Sequence, residues 1–316
     1  ERNNAFFFEY SRPTPIGQLM AGLRYEHVNS DYYEQGVYSP AHSRIYNQWF
    51  PSLTFATRIK EVGLQLSYSA KTSRPSYRQL GTNVEYMNRF TRQSGNPTLK
   101  PETLHNITLV SSWNWLTFVA NYTQTHNKIM YWNEQESTDE NITNLRYRNF
   151  KRFPALTLSL TAAPTIGVWS PQLTLFCQKQ WFDIERLGSK LDLSKPVWGI
   201  QWENSFEFRH DWTAEANLKL TSKGMTENAK LTRNNCTFDF SVRKAFLNNR
   251  LSVTVGVNDL FNRSANQLLL YTNNLSIDTK QELDSREFYV TLRYKFNTAR
   301  SKYKGTGAGE SERKRF

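Results

Sequence analysis

The sequence lacks long apolar runs: nowhere do about twenty consecutive apolar residues occur, the length that a helix needs to cross a bilayer. A helical membrane protein is therefore excluded. Hydrophobic residues are scarce, at 38% of the 316 residues, although 14% are aromatic. A soluble core would normally contain more aliphatic residues, whereas a membrane barrel needs only a thin apolar band, edged by Tyr and Trp, around a polar interior.

Residue types that carry chemistry are few and scattered. The two cysteines, Cys177 and Cys236, alternate in phase with apolar neighbours, so we expect lipid-facing thiols and no disulfide. The five histidines are His27, His42, His105, His126 and His210. They show no metal-ligand spacing such as H-E-x-x-H, and the sequence has no G-x-S-x-G elbow. We predict no enzyme, metal site or cofactor, since an enzyme would need a cluster that only the fold could assemble.

Acidic residues are outnumbered, because 40 Lys and Arg against 28 Asp and Glu give a net charge of +12. The basic residues are spread along the chain and do not form one stripe, so nucleic-acid binding is not favoured. They concentrate only at residues 300–315, and we predict a disordered basic tail at residues 297–316 after a single domain at residues 1–296. The chain opens at Glu1 without a leader, which we interpret as a removed signal or as the later part of a longer chain.

The chain does have a two-residue alternation of apolar and polar side chains along its length. In one segment Leu251, Val253, Val255 and Val257 face one way, while Ser252, Thr254, Gly256 and Asn258 face the other. The pattern recurs around residues 64–69, 156–161, 198–203 and 288–296. It is typical of a barrel wall with lipid outside and water inside, although a soluble sandwich also alternates.

We predict about thirteen strands from this pattern and the intervening turn residues. Their ranges are 4–11, 18–28, 48–57, 62–71, 103–112, 116–131, 145–162, 172–182, 197–208, 213–221, 234–246, from 251 onward, and 287–296. Short and long connections alternate, which indicates short periplasmic turns and long outer loops and not a Greek-key sandwich. The longest strands suit a membrane crossing of about 9–11 tilted residues with an extension beyond it.

Strand number and strand ends add two expectations. A closed antiparallel barrel has an even number of strands, so thirteen should not close alone, and we expect more strands before Glu1. Aromatic residues lie near the strand ends, where an interfacial girdle belongs. These girdle residues are Trp113, Trp115, Tyr131, Trp132, Trp169, Trp181 and Trp212.

Four short motifs stand out: AGLRYE at residues 21–26, TSRPSY at 72–77 with GNPTLKPET at 95–103, GVNDLFN at 256–262, and LRYKF at 292–296. Their characteristic residues are Gly95, Asn96, Pro97, Leu99, Pro101, Glu102, Asn258, Leu260, Phe261, Tyr294 and Phe296. Pro97 and Pro101 fix φ and withhold backbone donors, so they hold the loop extended until the ladder begins at Thr103. Gly95 permits a tight bend.

In order and spacing, these motifs resemble the carboxy-terminal half of TonB-dependent outer-membrane receptors, in particular the outer membrane protein β-barrel family. The resemblance implies an all-β, antiparallel transmembrane β-barrel in the outer membrane of a Gram-negative bacterium, with this chain as the C-terminal part of a 22-stranded wall. It implies uptake of a scarce ligand, either an iron chelate, cobalamin or a glycan. The sequence lacks the family's plug domain and TonB box, and its terminal aromatic residue is followed by residues 297–316.

The resemblance also implies partners. They are outer-membrane lipid, the TonB complex acting through a region before this chain, the barrel assembly machinery and a surface lipoprotein. At the level of the whole protein, the alternative is a surface-exposed barrel that acts in adhesion or assembly without active transport.

The long loop at residues 74–101 is the candidate ligand-binding segment. Its candidate ligand contacts are Arg74, Tyr77, Tyr86, Arg89, Phe90 and Arg92. The loop is basic, since it also carries Arg78 and Lys100, which favours an anionic ligand. Its aromatic residues suit sugar stacking and an apolar chelate face alike. A rigid loop end that only packs against the wall is the alternative for the GNP motif, and a packing role is equally open for Arg74 and Tyr77.

Overall fold

A computed structural model describes residues 1–135, 142–282 and 284–296. The described residues form almost entirely β-structure. The elements are β1 (Arg2–Thr14), β2 (Gly17–Ser30), β3 (Tyr33–Glu34), β4 (Val37–Tyr38), β5 (Arg44–Ile59), β6 (Val62–Ser73), α1 (Tyr77–Leu80), β7 (Val84–Asn88), β8 (Thr91–Ser94), β9 (Glu102–Trp113), β10 (Leu116–Gln135), β11 (Thr143–Ala162), β12 (Trp169–Gln180), β13 (Asp183–Arg186), β14 (Ser189–Asp192), β15 (Val197–Phe208), β16 (Trp212–Thr221), β17 (Gly224–Thr226), β18 (Ala229–Leu231), β19 (Asn235–Phe246), β20 (Leu251–Asn258), β21 (Ala265–Tyr271), β22 (Ser276–Glu282) and β23 (Glu287–Tyr294).

Thirteen of these strands form one antiparallel wall in chain order, β1-β2-β5-β6-β9-β10-β11-β12-β15-β16-β19-β20-β23. Each corresponds to a predicted strand, so the predicted count and the all-β antiparallel fold are confirmed. In the described part of the chain, β1 and β23 each pair on one side only and are not hydrogen-bonded to each other. The wall is therefore open along these two edges.

The alternation of short turns and long loops is also confirmed. At one end of the wall, residues in the left-handed conformation reverse the chain, among them Asn114 (φ 51°), His210 (φ 62°) and Asn249 (φ 64°). Asn and Asp tolerate this conformation better than most residues because their short polar side chains bond locally. The other end carries the long connections, which contain ten short strands and a helical turn that the alternation did not predict.

One face of the wall carries a continuous apolar belt, because the strand register places apolar residues opposite one another. Phe118 lies opposite Leu160, and Leu160 lies opposite Leu175. Leu160 is 42% exposed and Val255 is 55% exposed, and the described part of the chain provides no second layer that covers them. In the same described residues, no helix is long and apolar enough to cross a membrane. The belt is the surface expected to meet hydrocarbon.

Aromatic residues border this belt, with two exceptions to the prediction. Trp113, Trp115 and Trp212 are exposed beside the turns at one end, and Trp181 is exposed at the other. Trp132 and Tyr131 were wrongly assigned to the girdle, since Trp132 is 6% exposed within a hydrophobic cluster of the outer loops and Tyr131 contacts Gln93 and Tyr147 there. The reason is that β10 extends well beyond the belt, so its end is not at the membrane surface.

Two adjacent residues of β11 that point to opposite faces of the wall, Ser159 and Leu160, provide a test of which face meets lipid. Leu160→Arg places a charge against hydrocarbon between the membrane interface and the midplane, and we expect it to lower the free energy of unfolding by about 1–3 kcal/mol. Ser159→Arg points the same charge to the opposite face and should cost much less. Urea unfolding of the intact protein in lipid vesicles measures both variants. Equal losses for the two variants would show that Leu160 does not face lipid.

Candidate functional site in the outer loops

The outer loops pack into a layer that rests on the extended ends of β10 and β11. Its centre is a hydrophobic cluster, here called the outer-loop core, formed by Met130, Trp132, Phe153, Phe182, Ile184 and Leu193. Gln180, 2% exposed, ties this core to the next loop. Its side-chain amide donates to the carbonyl oxygens of Leu193 and Glu227 at 2.7 Å each, and it accepts from the Glu227 backbone N–H at 2.7 Å. The loops are thus one connected body.

The half-buried side chain of Lys128 joins the loop that contains Glu227 to the wall. The Lys128 ammonium lies 2.8 Å from a Glu227 carboxylate oxygen and 3.4 Å from a Glu102 oxygen. Burial alone would lower the pKa of Lys128, but the two carboxylates outweigh burial and raise its pKa above the ordinary value. Lys128 therefore stays charged at neutral pH and holds the loop after β16 against β9 and β10.

The candidate loop at residues 74–101 begins with a helical turn. Ser76 and Gln79 form a capping box around α1, in which the Gln79 backbone N–H donates to the Ser76 hydroxyl and the Ser76 N–H donates to the Gln79 side chain. The hairpin β7–β8 follows. β8 then pairs in parallel with β11, with Thr91 opposite Thr143. The loop is thereby fixed to the wall through β8.

The GNP motif provides the tightest contact in this loop. A Cβ atom on Gly95 would lie 2.2 Å from the Gly81 carbonyl oxygen, so only glycine lets the chain pass this close to the end of α1. The Asn96 backbone N–H donates to the Gln79 carbonyl at 2.6 Å, and its side-chain amide donates to the Tyr147 carbonyl at 2.8 Å. The motif thus links α1 to β11.

The apolar residues of the motif line a small cavity with Tyr32, Arg44 and Tyr46, and Glu102 bonds to β10. Pro97, Leu99 and Pro101 are buried, and Leu99 is only 2% exposed. The Glu102 carboxylate accepts the Ile129 backbone N–H at 2.7 Å and also pairs with Lys128. The contacts of Glu102 fix the loop end to β10.

Arg74 is held in the wall. Its side chain is 8% exposed and forms an ion pair with Glu26, which also accepts from Arg24 at 2.8 Å, and Arg74 lies 3.8 Å from Glu1. Such a buried pair fixes the beginning of the loop. A ligand contact at Arg74 stays a prediction, and the ligand would have to compete with Glu26.

A cleft of about 330 Å³ lies between the candidate loop and β11. It is lined by Tyr77, Arg78, Gly81, Asn83, Glu85, Gln93, Ser94, Gly95 and Tyr147. Arg78 and Glu85 form an exposed ion pair at 3.0 Å across its mouth. Tyr147 packs on Tyr131 with ring centroids 4.1 Å apart, and burial, followed by the Tyr131 phenol, raises the pKa of Tyr147 well above its ordinary value. Tyr147 therefore offers a neutral hydroxyl.

The hairpin β7–β8 presents the other candidate residues to solvent. Tyr86 is 73% exposed and Phe90 is 58% exposed, and Arg89 is exposed between them. Arg92 lies opposite Tyr86 and is half-buried. The apolar side chains of Val84 and Met87 are exposed on the same hairpin. An aromatic and cationic tip thus stands on a rigid base.

Of the six predicted contact residues, Tyr77 lines the cleft, and Tyr86, Arg89, Phe90 and Arg92 belong to the hairpin. Arg74 lies apart from both. Sequence reasoning did not identify Tyr147 or Glu85. The available signal for Tyr147 was the length of strand 145–162, which exceeds a membrane crossing and therefore places its first residues among the outer loops.

The NDLF motif anchors the outer end of β20. Asn258 donates to the Glu287 carboxylate at 3.3 Å, and the Leu260 N–H donates to the Phe238 carbonyl at 2.8 Å. Phe261 is 59% exposed, with its ring 5.5 Å from that of Phe238. Asp259, which lies between Asn258 and Leu260, organises the turn and was not among the predicted site residues.

Asp259 is 2% exposed and has a positive φ of 42°. Its carboxylate accepts from the backbone N–H groups of Arg263 (3.1 Å) and Ser264 (2.8 Å) and from the Ser285 hydroxyl (2.5 Å). Burial would raise the pKa of Asp259, but the bonds from Ser285, Ser264 and Arg263 and the charge of Arg286 outweigh it and lower the pKa. The sequence signal for Asp259 was its residue type, because an Asp side chain often closes a turn by accepting hydrogen bonds from backbone N–H groups that follow it in the chain.

The last motif ends on exposed aromatic residues. Tyr294 is 53% exposed and Phe296 is 78% exposed, with ring centroids 6.0 Å apart on the edge strand. The predicted tail at residues 297–316 lies outside the described residues. Within the described ranges, no group of three or more His, Cys, Asp or Glu side chains is arranged to hold a metal ion.

Comparison with known proteins shows which family and which solved structures the chain resembles. A family model described as "Outer membrane protein beta-barrel family" matches residues 1–294. No curated protein sequence matches significantly. Among solved structures, the chain is similar to the siderophore receptor PirA from Pseudomonas aeruginosa, with a TM-score of 0.63 and 17% identity over 92% of this chain and 48% of that one.

Two further structures show the same likeness. A mutant ferric enterobactin receptor, PfeA from Pseudomonas aeruginosa in complex with enterobactin, has a TM-score of 0.60 and 16% identity over 92% of this chain and 45% of its own. The copper transporter OprC has a TM-score of 0.65 and 14% identity over 93% and 48%. The chain spans about half the length of these structures, and at such identities the likeness establishes the fold.

The close approach at Gly95 can be tested by adding one methyl group. Gly95→Ala collides with the Gly81 carbonyl, so we expect the loop to detach from α1 and to be cut faster by a protease. Gly81→Ala is the matched control, because its Cβ would lie no closer than 3.4 Å to its nearest neighbour. Limited proteolysis of both intact variants measures the difference. Unchanged cleavage in Gly95→Ala would contradict the tight packing of this motif.

Asp259 gives a pH-dependent test. Because its folded pKa lies below the ordinary 3.8, its bonds stabilise the protein above that pH, and this stabilisation is lost as the pH falls through the folded pKa. Asp259→Asn should lower the free energy of unfolding at neutral pH by about 1.5–3 kcal/mol, the usual range for hydrogen bonds to a charged group. The difference from the unchanged protein should shrink in acid.

Urea unfolding at several pH values measures the Asp259 effect. Asp278→Asn is the control, since Asp278 is exposed on β22. If Asp259→Asn lost the same free energy at every pH, the carboxylate charge would not be the cause.

Proposed function

The chain belongs to the outer membrane protein β-barrel family, and from this premise we propose that it is the C-terminal barrel portion of a TonB-dependent receptor. The receptor would bind a scarce nutrient at its outer loops and admit it across the outer membrane. The observation that supports the proposal best is the outer-loop body itself. An exposed hairpin of aromatic and basic residues stands on a base fixed to the wall by Gly95, Asn96 and Glu102.

We propose that the ligand contacts the hairpin β7–β8 and the cleft beside it. Tyr86 and Phe90 can stack on a planar or apolar ligand surface, and Arg89 can bind an anionic group. The cleft adds the Tyr147 hydroxyl and the Arg78–Glu85 pair. A fixed base lowers the entropic cost of ordering such a surface on binding. Tyr77, at the entrance of the cleft, would contact the same ligand.

The charge of the loop guides the choice of ligand class. Arg78, Arg89, Arg92 and Lys100 give the loop a positive surface that attracts anions. The names of PirA, PfeA and OprC refer to a siderophore, ferric enterobactin and copper. We therefore propose an anionic metal chelate as the first ligand to test, with cobalamin and glycans as the other classes.

The proposed mechanism requires partners beyond this chain. Energy from the TonB complex would enter through a region that precedes residue 1, and the barrel assembly machinery would insert the wall. A surface lipoprotein could close over the outer loops. We propose no catalytic role for any residue of this chain.

The experiment expresses the intact protein in a strain deleted for its gene and measures accumulation of labelled ferric chelates, cobalamin and glycans, with and without TonB. We expect accumulation of an anionic chelate that stops when TonB is removed. An Arg89→Ala, Tyr86→Ala double variant should bind that ligand about tenfold more weakly, the loss of roughly 1.4 kcal/mol that contact residues commonly cost. Tyr33→Ala, which removes an aromatic residue 60% exposed on another loop, is the matched control.

The outcomes separate the alternatives. Protein that is present in the outer membrane but accumulates none of the ligands would contradict transport and favour the adhesion or assembly barrel. Transport that is unaffected by the double variant would retain the receptor and reject the hairpin as its contact surface.

A further inference from the structure

Two cations lie on the lipid-facing side of the wall at its outer edge, on β11 and β12. Along β11 they follow the same parity as the belt, with Arg152 in phase with Leu156, Leu158 and Leu160. On β12, Lys179 is in phase with Leu175 and Cys177. Both cations are exposed, and within the described residues neither forms an ion pair. Unpaired cations at the edge of a hydrocarbon belt need an explanation.

The contacts of the two cations are with polar and aromatic groups. A guanidinium nitrogen of Arg152 donates to Gln124 at 3.2 Å, and His126 lies opposite Arg152 in the register. The Lys179 ammonium lies 5.6 Å from the centre of the Trp181 ring, on the side of the belt where the outer loops begin. Interfacial Trp and long basic side chains position themselves in this way at lipid headgroups.

An apolar groove lies directly below these cations on the same strands. It has a volume of about 430 Å³ and is lined by Phe118, Leu158, Leu160, Leu175, Cys177 and Trp198, among others. In the register, Leu158 lies opposite Cys177, and the next pair outward on the same face is Leu156 with Lys179. Lys179 is therefore about 7 Å beyond the end of the groove, two residues along an extended strand.

The arrangement differs from that of the strands that follow β12 in the wall. On the strands from β15 onward, the outermost lipid-facing residues are Trp198, Leu220, Cys236, Val257 and Phe288, none of which is charged. A general preference for cations at the membrane edge would have placed them along these strands as well. The combination of a groove and two cations thus distinguishes β10–β12 from the strands β15 to β23.

We propose that this surface binds a lipid of the outer leaflet that has a phosphorylated headgroup. An acyl chain lies in the groove, and phosphate oxygens accept hydrogen bonds from Arg152 and Lys179. The two residues are about 13 Å apart along the wall, and their long side chains can reach one headgroup, most readily one with two phosphates. Arg matches phosphate geometry with two parallel N–H donors, and Lys adds a second positive charge. This inference does not depend on transport.

The test uses native mass spectrometry of the intact protein released from phosphatidylcholine nanodiscs that contain lipid A, a phosphorylated glycolipid. We expect one lipid A to be retained, with dephosphorylated lipid A and phosphatidylcholine retained far less. An Arg152→Gln, Lys179→Gln double variant should lower retention about tenfold, as expected for lost charge-assisted contacts. Lys219→Gln, which removes a cation from the opposite face of β16, is the control and should retain lipid normally.

A second variant tests the groove separately. Cys177→Trp fills the groove and leaves both cations in place, so lipid A retention should fall although the headgroup contacts are intact. Inorganic phosphate should not compete with the lipid, because it cannot use the groove. Retention that is equal in the double variant and in Lys219→Gln, or that is indifferent to the lipid's phosphates, would overturn the proposal. Heat-dependent gel mobility of each variant confirms that it is folded.

Discussion

The structure depends on one constraint: within hydrocarbon, every backbone N–H and C=O group must find a partner inside the protein. A continuous antiparallel ladder satisfies that constraint across thirteen strands. Because the ladder fixes each side chain to one face or the other, it also forces the two-residue alternation of apolar and polar residues. The apolar belt, the position of the turns and the outward projection of β10 and β11 all follow from the ladder.

The same ladder provides the base for the outer loops. β10 and β11 are twenty residues each, longer than a crossing of about 9–11 residues, and their surplus length carries the hydrophobic cluster around Trp132. Residues 74–101 are then fixed to those strands by side chains that replace ladder hydrogen bonds, such as Asn96 on the Tyr147 carbonyl and Asn149 on both Lys100 backbone groups. A loop held in this way can expose Tyr86 and Phe90 without collapsing onto them.

Sequence reasoning predicted the wall well because the membrane imposes a local rule that each strand obeys separately. It placed strand 197–208 at the same limits as β15. It failed where stability comes from contacts between distant segments. Among the short loop strands, β8 pairs with β11 and β18 pairs with β21, partners that are far apart in sequence, and Trp132 was misplaced because its burial depends on Phe182 and Leu193. Asp259 was missed in part because its partner Ser285 lies 26 residues away along the chain and reaches it only in the folded loop.

Arginine illustrates why composition alone could not locate the site. Arg74 and Arg89 belong to the same loop, yet Arg74 is sequestered by Glu26 whereas Arg89 stands exposed at the hairpin tip. Arg152 lies on the lipid side of the wall beside Gln124. Each has the same formal charge, but a charge acts on what lies within a few ångströms of it, since water and salt screen the rest. The net charge of +12 is therefore the sum of charges in different surroundings, and only the fold shows which arginine lies in the wall, on the hairpin of the proposed ligand surface or at the membrane edge.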